Sequence, residues 1–198
     1  MKPRRLSRDF FDRPTLIVAK ELLGKVLVRK IENKIIRVII TETEAYVGPK
    51  DLASHASRGR TNRTEIMFGP PGHAYIYMIY GMYFCLNIVT EKNDYPAAVL
   101  IRAVKLGTSD WPLANINKNN PLTTSRYSLT ANLNGPGKLC RFLKIDKSLN
   151  GEDVTTSKKL WFEDNGTKVK PSQIIRTKRI GIDYAGKYKD KLWRFMIK

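Results

Sequence analysis

The spacing of apolar residues changes along the chain, and each change marks an element. Leu16, Ala19, Leu22 and Leu23 recur at the three- and four-residue intervals of one helix face, ahead of Gly24. Asp12 offers an N-cap oxygen and Pro14 suits a first helical turn, so an amphipathic helix is predicted to open the fold. Over 26–28 and 35–46 β-branched residues dominate, and with polar Glu32, Asn33 and Lys34 between them these runs read as a hairpin. Further strands are predicted at 74–80, 83–90 and 97–105, the first two separated by Gly81 and Met82. The polar stretch 107–134 reads as a short helix with irregular loops rather than an interdomain linker. After Gly135-Pro136-Gly137, Leu139, Phe142 and Leu143 predict a helix over 138–145 whose first amides could face a phosphate. Short β-prone pieces at 161–163, 179–183 and 192–197 complete the pattern. The expectation is one α+β domain over 1–198 around a mostly antiparallel sheet.

Composition agrees with a folded chain and adds a charge anomaly. Of 198 residues, 42% are hydrophobic and 27% charged, the balance of an ordinary globular protein. Lys and Arg number 36 against 18 Asp and Glu, a net charge of +18. Such a surface seeks polyanions, with nucleic acid ahead of an acidic membrane leaflet or an acidic protein. No apolar run reaches the roughly 20 residues of a membrane helix, and Lys2, Arg4 and Arg5 stand where a signal peptide would turn apolar. An unexported, soluble protein is expected. Cys85 and Cys140 sit in apolar settings outside any CxxC spacing and read as buried thiols. With only His55 and His73 as imidazole donors, neither a metal nor another cofactor is expected.

Candidate chemistry gathers on the strands. Alternation puts Ile36, Val38, Ile40, Glu42, Glu44 and Tyr46 on one face, so an apolar row ends in two carboxylates and a ring. Either the strand emerges into solvent there, or the carboxylates are held in a built site. Arg102 interrupts the apolar run 98–101 and calls for an anionic partner such as Glu42 or Glu44. Four of the nine tyrosines fall within residues 75–84, with Tyr75 and Tyr77 on one face and Tyr80 at the turn. Aromatic strands usually pack a sheet, but an aromatic at a hairpin tip on a basic protein can also wedge between bases. His55 follows a loop, where a lone histidine is more often a local hydrogen-bonding residue than a catalyst. The stretch 57–63, with Arg58, Arg60 and Arg63, suits phosphate contacts or a solvated charge run.

Thr41-Glu42-Thr43-Glu44-Ala45-Tyr46, the segment 51–55 and Tyr80-Gly81-Met82-Tyr83-Phe84-Cys85 together resemble the alkyladenine (3-methyladenine) DNA glycosylase family. The likeness continues through Val99-Leu100-Ile101-Arg102-Ala103, Gly135-Pro136-Gly137-Lys138-Leu139-Cys140, Arg179-Ile180-Gly181 and Arg194-Phe195. It implies a curved, mostly antiparallel sheet with a base-wedging hairpin. It also implies a monofunctional enzyme that removes alkylated or deaminated purines from double-stranded DNA as a monomer inside the cell, in the cytoplasm or nucleoid of a bacterium or the nucleus of a eukaryote. By this resemblance Glu44 is the general base and Arg102 helps to hold the carboxylate and its water. Tyr46, His55, Tyr77 and Asn87 form the base pocket, and Tyr80 fills the vacated stack. The connection 89–96 departs from the family pattern in length. Two other classes use the same residues differently: a noncatalytic nucleic-acid-binding protein, and a metal-dependent nuclease built on Glu42, Glu44 and Asp51.

Overall fold

The computed structural model describes residues 3–106 and 132–198. A two-residue strand β1 (Arg4–Arg5) and one turn of helix α1 (Arg8–Phe11) precede helix α2 (Thr15–Glu21). Asp12 is not the cap of α2. Its N–H closes α1 onto the Arg8 carbonyl, and the non-helical Pro14 becomes the residue before α2. The Glu91 carboxylate serves the open end instead, accepting from the Thr15 N–H at 3.0 Å, where the helix dipole favours an anion. That contact ties the 91–96 turn to the body of the protein. Val18, Ala19, Leu22 and Leu23 enter the core, and Gly24 (φ +80°) turns the chain into the sheet.

The sheet is antiparallel throughout. After β2 (Val26–Ile31) come β3 (Lys34–Tyr46), β4 (Ala74–Ile79), β5 (Tyr83–Thr90) and β6 (Ala97–Leu106). Beyond them lie β7 (Asn132–Asn134), helix α3 (Pro136–Phe142), β8 (Leu160–Asp164), β9 (Ile174–Thr177) and β10 (Arg194–Ile197). The strand order is β1-β8-β2-β3-β6-β5-β4, with β10 pairing β3 and β9, and β7 pairing β6. The expected α+β class, the antiparallel pairs β2–β3 and β4–β5, and the late helix are present. Residues 179–183 are irregular, bending at 180–181, rather than a strand, and β9 lies upstream of them. Of the stretch 107–134, residues 132–134 are a strand; the expected short helix lies outside the described residues.

The centre of β3 overturns the expectation of one continuous face. Val38 and Ile40 fill the main core with Ala19, Leu22 and Leu27. Pairing of β3 with β6 is irregular between Ile40 and Thr43, and beyond that point the other parity fills the same core. There Ala45 joins the core cluster and the Thr43 hydroxyl donates to the Ala19 carbonyl at 2.8 Å. β6 changes in step, from Val104 and Leu106 to Ile101 and Val99. The irregularity turns Glu42, Glu44 and Tyr46 away from the core that Val38 and Ile40 occupy. Strict alternation would have driven two carboxylates into apolar packing, a cost of several kcal/mol each by the usual penalty for an ion in a protein interior.

Candidate active site

The face that β3 acquires beyond the irregularity borders a cavity of about 380 Å³. Glu44, Tyr46, His55, Tyr77, Tyr80, Asn87 and Arg102 all line it, so the structure gathers the seven residues that the resemblance assigned to the site, whereas Glu42 and Asp51 do not line it. They arrive from four strands and two connections. Glu44 and Tyr46 come from β3, Tyr77 from β4, Asn87 from β5 and Arg102 from β6. His55 opens a single 3-10 turn (His55–Arg58), and Tyr80 sits in the turn between β4 and β5.

Glu44 has no solvent exposure. One oxygen accepts from the Tyr46 hydroxyl at 2.9 Å, and the other from the Ile180 N–H at 3.0 Å. An Arg102 nitrogen stands 3.5 Å from the second oxygen. Burial raises the Glu44 carboxyl above its ordinary range, against the pull of Arg102, the Ile180 amide, Tyr46 and Arg194. Glu42 has a different setting: Arg102 Nε and Arg194 Nε donate to one of its oxygens at 2.8 and 2.5 Å. Two arginines thus clasp Glu42, while Glu44 holds a longer contact to one of them and lines the cavity.

The aromatic wall is neutral. Burial, then Glu44, lifts the Tyr46 phenol well above its usual range, and burial, then Cys85, does the same for Tyr77. Burial brings His55 down to about 4, with Arg63 and Arg58 adding to the effect, so the ring is uncharged at neutral pH. Its Nδ1 lies 2.9 Å from the Tyr75 hydroxyl, and its ring meets Tyr77 edge-on at 4.5 Å. Tyr75 and Tyr77 do share a face, with centroids 5.4 Å apart. The buried Asn87 amide donates to the Tyr75 carbonyl at 3.1 Å. At the rim Tyr80 is 85% exposed and left-handed (φ 51°), an uncommon conformation for a residue with a β-carbon, and Met82 beside it is also exposed.

Other expectations resolve unevenly. Arg60 is drawn to Glu65 and Asp94 and lies over Phe68, so part of the 57–63 charge is answered within the protein. Arg58 is exposed, and Arg63 lies over the Tyr77 ring at 5.2 Å. Two amides at the start of α3 already donate to the Gly135 carbonyl. Asp51 is bound by Arg179 away from Glu42 and Glu44, so these three carboxylates do not build a metal centre. Cys85 and Cys140 are buried free thiols. Sequence reasoning quoted Ile180 and Arg194 within motifs but gave neither a task. A backbone donor has no residue signature, and Arg194 meets Glu42 across 152 positions.

The chain resembles known proteins across nearly its whole length. The sequence model of the family described as methylpurine-DNA glycosylase matches residues 9–198. The chain belongs to that family. A protein of Methanocella arvoryzae, provisionally named 3-methyladenine DNA glycosylase, is 50% identical over 190 residues, covering 96% of this chain and 90% of its own. One from Clostridium perfringens strain SM101 with the same provisional name is 48% identical over 197 residues, covering 98% and 96%. A third, from the Wolbachia of Culex pipiens, is 49% identical over 190 residues, covering 96% and 88%. The matched residues take in every strand from β2 to β10 and every cavity-lining residue named above. Among the described residues, no helix is long and apolar enough to cross a membrane.

Proposed function

We propose that this chain is a DNA repair glycosylase acting on alkylated or deaminated purines, of the 3-methyladenine and hypoxanthine kind, in duplex DNA. The observation that carries the reading is the unexposed Glu44 carboxyl, raised in pKa by burial, at a cavity walled by neutral aromatic rings. A +18 chain draws the duplex by its phosphates. The damaged nucleotide rotates out, at a cost on the order of a few kcal/mol of unstacking, and Tyr80 enters the vacated stack. The base then lies between Tyr46, His55 and Tyr77. With His55 uncharged and Asn87 beside it, selection runs on shape and edge hydrogen bonds.

Glu44 orients a water toward C1′, with Arg102 holding the carboxylate and the water. As the C1′–N bond breaks, its electron pair leaves with the base, the water oxygen bonds to C1′, and one water proton passes to Glu44. A base made cationic by alkylation departs neutral; a neutral purine takes up a proton on leaving. The carboxylate also faces the positive charge that develops on the sugar, as in glycoside hydrolysis. The products are a free base and an abasic site in an uncut strand, and the enzyme works as a monomer inside the cell. The test is incubation with duplexes carrying single 3-methyladenine, hypoxanthine, ethenoadenine or 7-methylguanine, followed by alkali. Alkali-dependent cleavage at the lesion is the expected result. Cleavage without alkali, or intact strands for every lesion, contradicts the reading.

A further inference from the structure

Behind the cavity stands a second arginine–carboxylate pair. Neither the Arg179 nor the Asp51 side chain has any solvent exposure. Arg179 donates to the two Asp51 oxygens at 2.6 and 2.8 Å and to the Ala45 carbonyl at 2.7 Å. Its guanidinium carbon lies 4.8 Å from the Tyr46 ring centroid and 5.1 Å from that of Trp193. Asp51 in turn accepts from the Val47 and Ala53 amides. The contacts reach Glu44 twice, for Tyr46 is the ring under the guanidinium, and Ile180, the next residue after Arg179, supplies the amide on Glu44.

We infer that Arg179 is a positioning residue for base excision, holding the Tyr46 hydroxyl and the Ile180 amide on the Glu44 carboxylate through the Asp51 fork and the stack on Tyr46. The inference rests on the function proposed above. Arginine suits the task because one planar group supplies a fork and a stacking face, whereas a lysine ammonium supplies neither. Among the described residues Arg179 Nε has no hydrogen-bond partner, and Nη1 and Nη2 make the fork and the bond to Ala45. What the geometry completes is the fork, the stack and the placement of the following amide.

The test compares Arg179→Lys and Asp51→Asn with wild type, by ¹³C NMR titration of Glu-labelled protein and by single-turnover excision from hypoxanthine and 7-methylguanine duplexes. A Glu44→Gln sample assigns the resonance. The other groups around Glu44 stay in place: Arg102 on β6, Arg194 on β10, Tyr77 on β4, Cys85 on β5 and Glu42 on its own strand; only the Tyr46 hydroxyl and the Ile180 amide lose their support. Once the amide and the hydroxyl drift, the Glu44 carboxyl titrates at higher pH than in wild type. The excision rate at saturating enzyme then falls about 10- to 100-fold, the scale of a small misplacement, while affinity for undamaged duplex stays within about two-fold. A pair that serves folding alone leaves Glu44 titrating as in wild type in the folded variants, or leaves both variants unfolded; either result overturns the inference. If wild type excises neither lesion, the proposed function fails on these substrates, and the titration still decides whether Arg179 positions Glu44.

Discussion

Asp51 and Glu44 are both carboxylates without solvent exposure, both next to an arginine, and the protein treats them oppositely. Asp51 accepts four N–H groups, two from Arg179 and one each from Val47 and Ala53, all within 3.1 Å. Glu44 has one amide, one phenol and an arginine nitrogen at 3.5 Å, and it borders a cavity. The first is a closed pair, whose Coulomb attraction and hydrogen bonds answer its desolvation. The second is answered only in part, so its proton affinity rises with burial. On the proposed reading, the same two residue types make a brace in one place and a proton acceptor in the other, and the number and distance of the donors decide which.

The largest break in that comparison comes from Glu44→Gln. Glutamine keeps the shape but takes no proton, so single-turnover excision is expected to fall by roughly 10² to 10⁴, with lesion binding retained. Stability should move the other way. A carboxyl whose folded pKa lies above its ordinary value of 4.5 costs the fold stability progressively as pH rises past 4.5, and in full above the raised value. The Gln variant should melt no lower than wild type at pH 7, with the gap closing as pH falls toward 4.5. A lower melting temperature at pH 7 would place Glu44 with Asp51 as a structural anion.

Arg179→Met tests the closed pair. It strands a buried Asp51, and urea unfolding should show a loss of about 3–5 kcal/mol, the usual result of removing one partner of a buried pair. A loss under about 1 kcal/mol would mean that Asp51 reaches solvent or another donor once the arginine is gone.

Smaller again is Tyr80→Ala. The side chain is 85% exposed, so thermal unfolding should hardly change, whereas preference for lesion duplex should weaken by about 1–3 kcal/mol, the worth of one base–aromatic stack. Wild-type excision by the folded variant would remove the wedge from the account.

The contrast between the two carboxylates shows how far sequence reading reaches. Periodicity found β2 to β6 and α3 because those elements bury one face, and the resemblance named the seven cavity residues. Alternation also placed Glu44 on the face of Val38 and Ile40, and there it misled. The change of parity depends on how β3 pairs with β6, two strands separated by fifty residues of intervening chain, and no local pattern encodes it. The N-cap of α2 was missed for a related reason, since its anion is Glu91, 76 positions away. Arg179 appeared within a motif but without a task, because its role lies in a stack and a fork that only the folded chain assembles.

The central claim is that Glu44 accepts the proton, and the pH dependence of single-turnover excision by wild type tests it most directly, with Glu42→Gln alongside. Burial raises the Glu44 carboxyl, so the rate should climb with pH through an acid limb centred above 4.5 and then level off. Glu42→Gln should keep that limb in shape, since Glu42 is the carboxylate clasped by two arginines. An excision rate that is flat across the acid range, or a limb that disappears in Glu42→Gln, would contradict the assignment of Glu44 as the base.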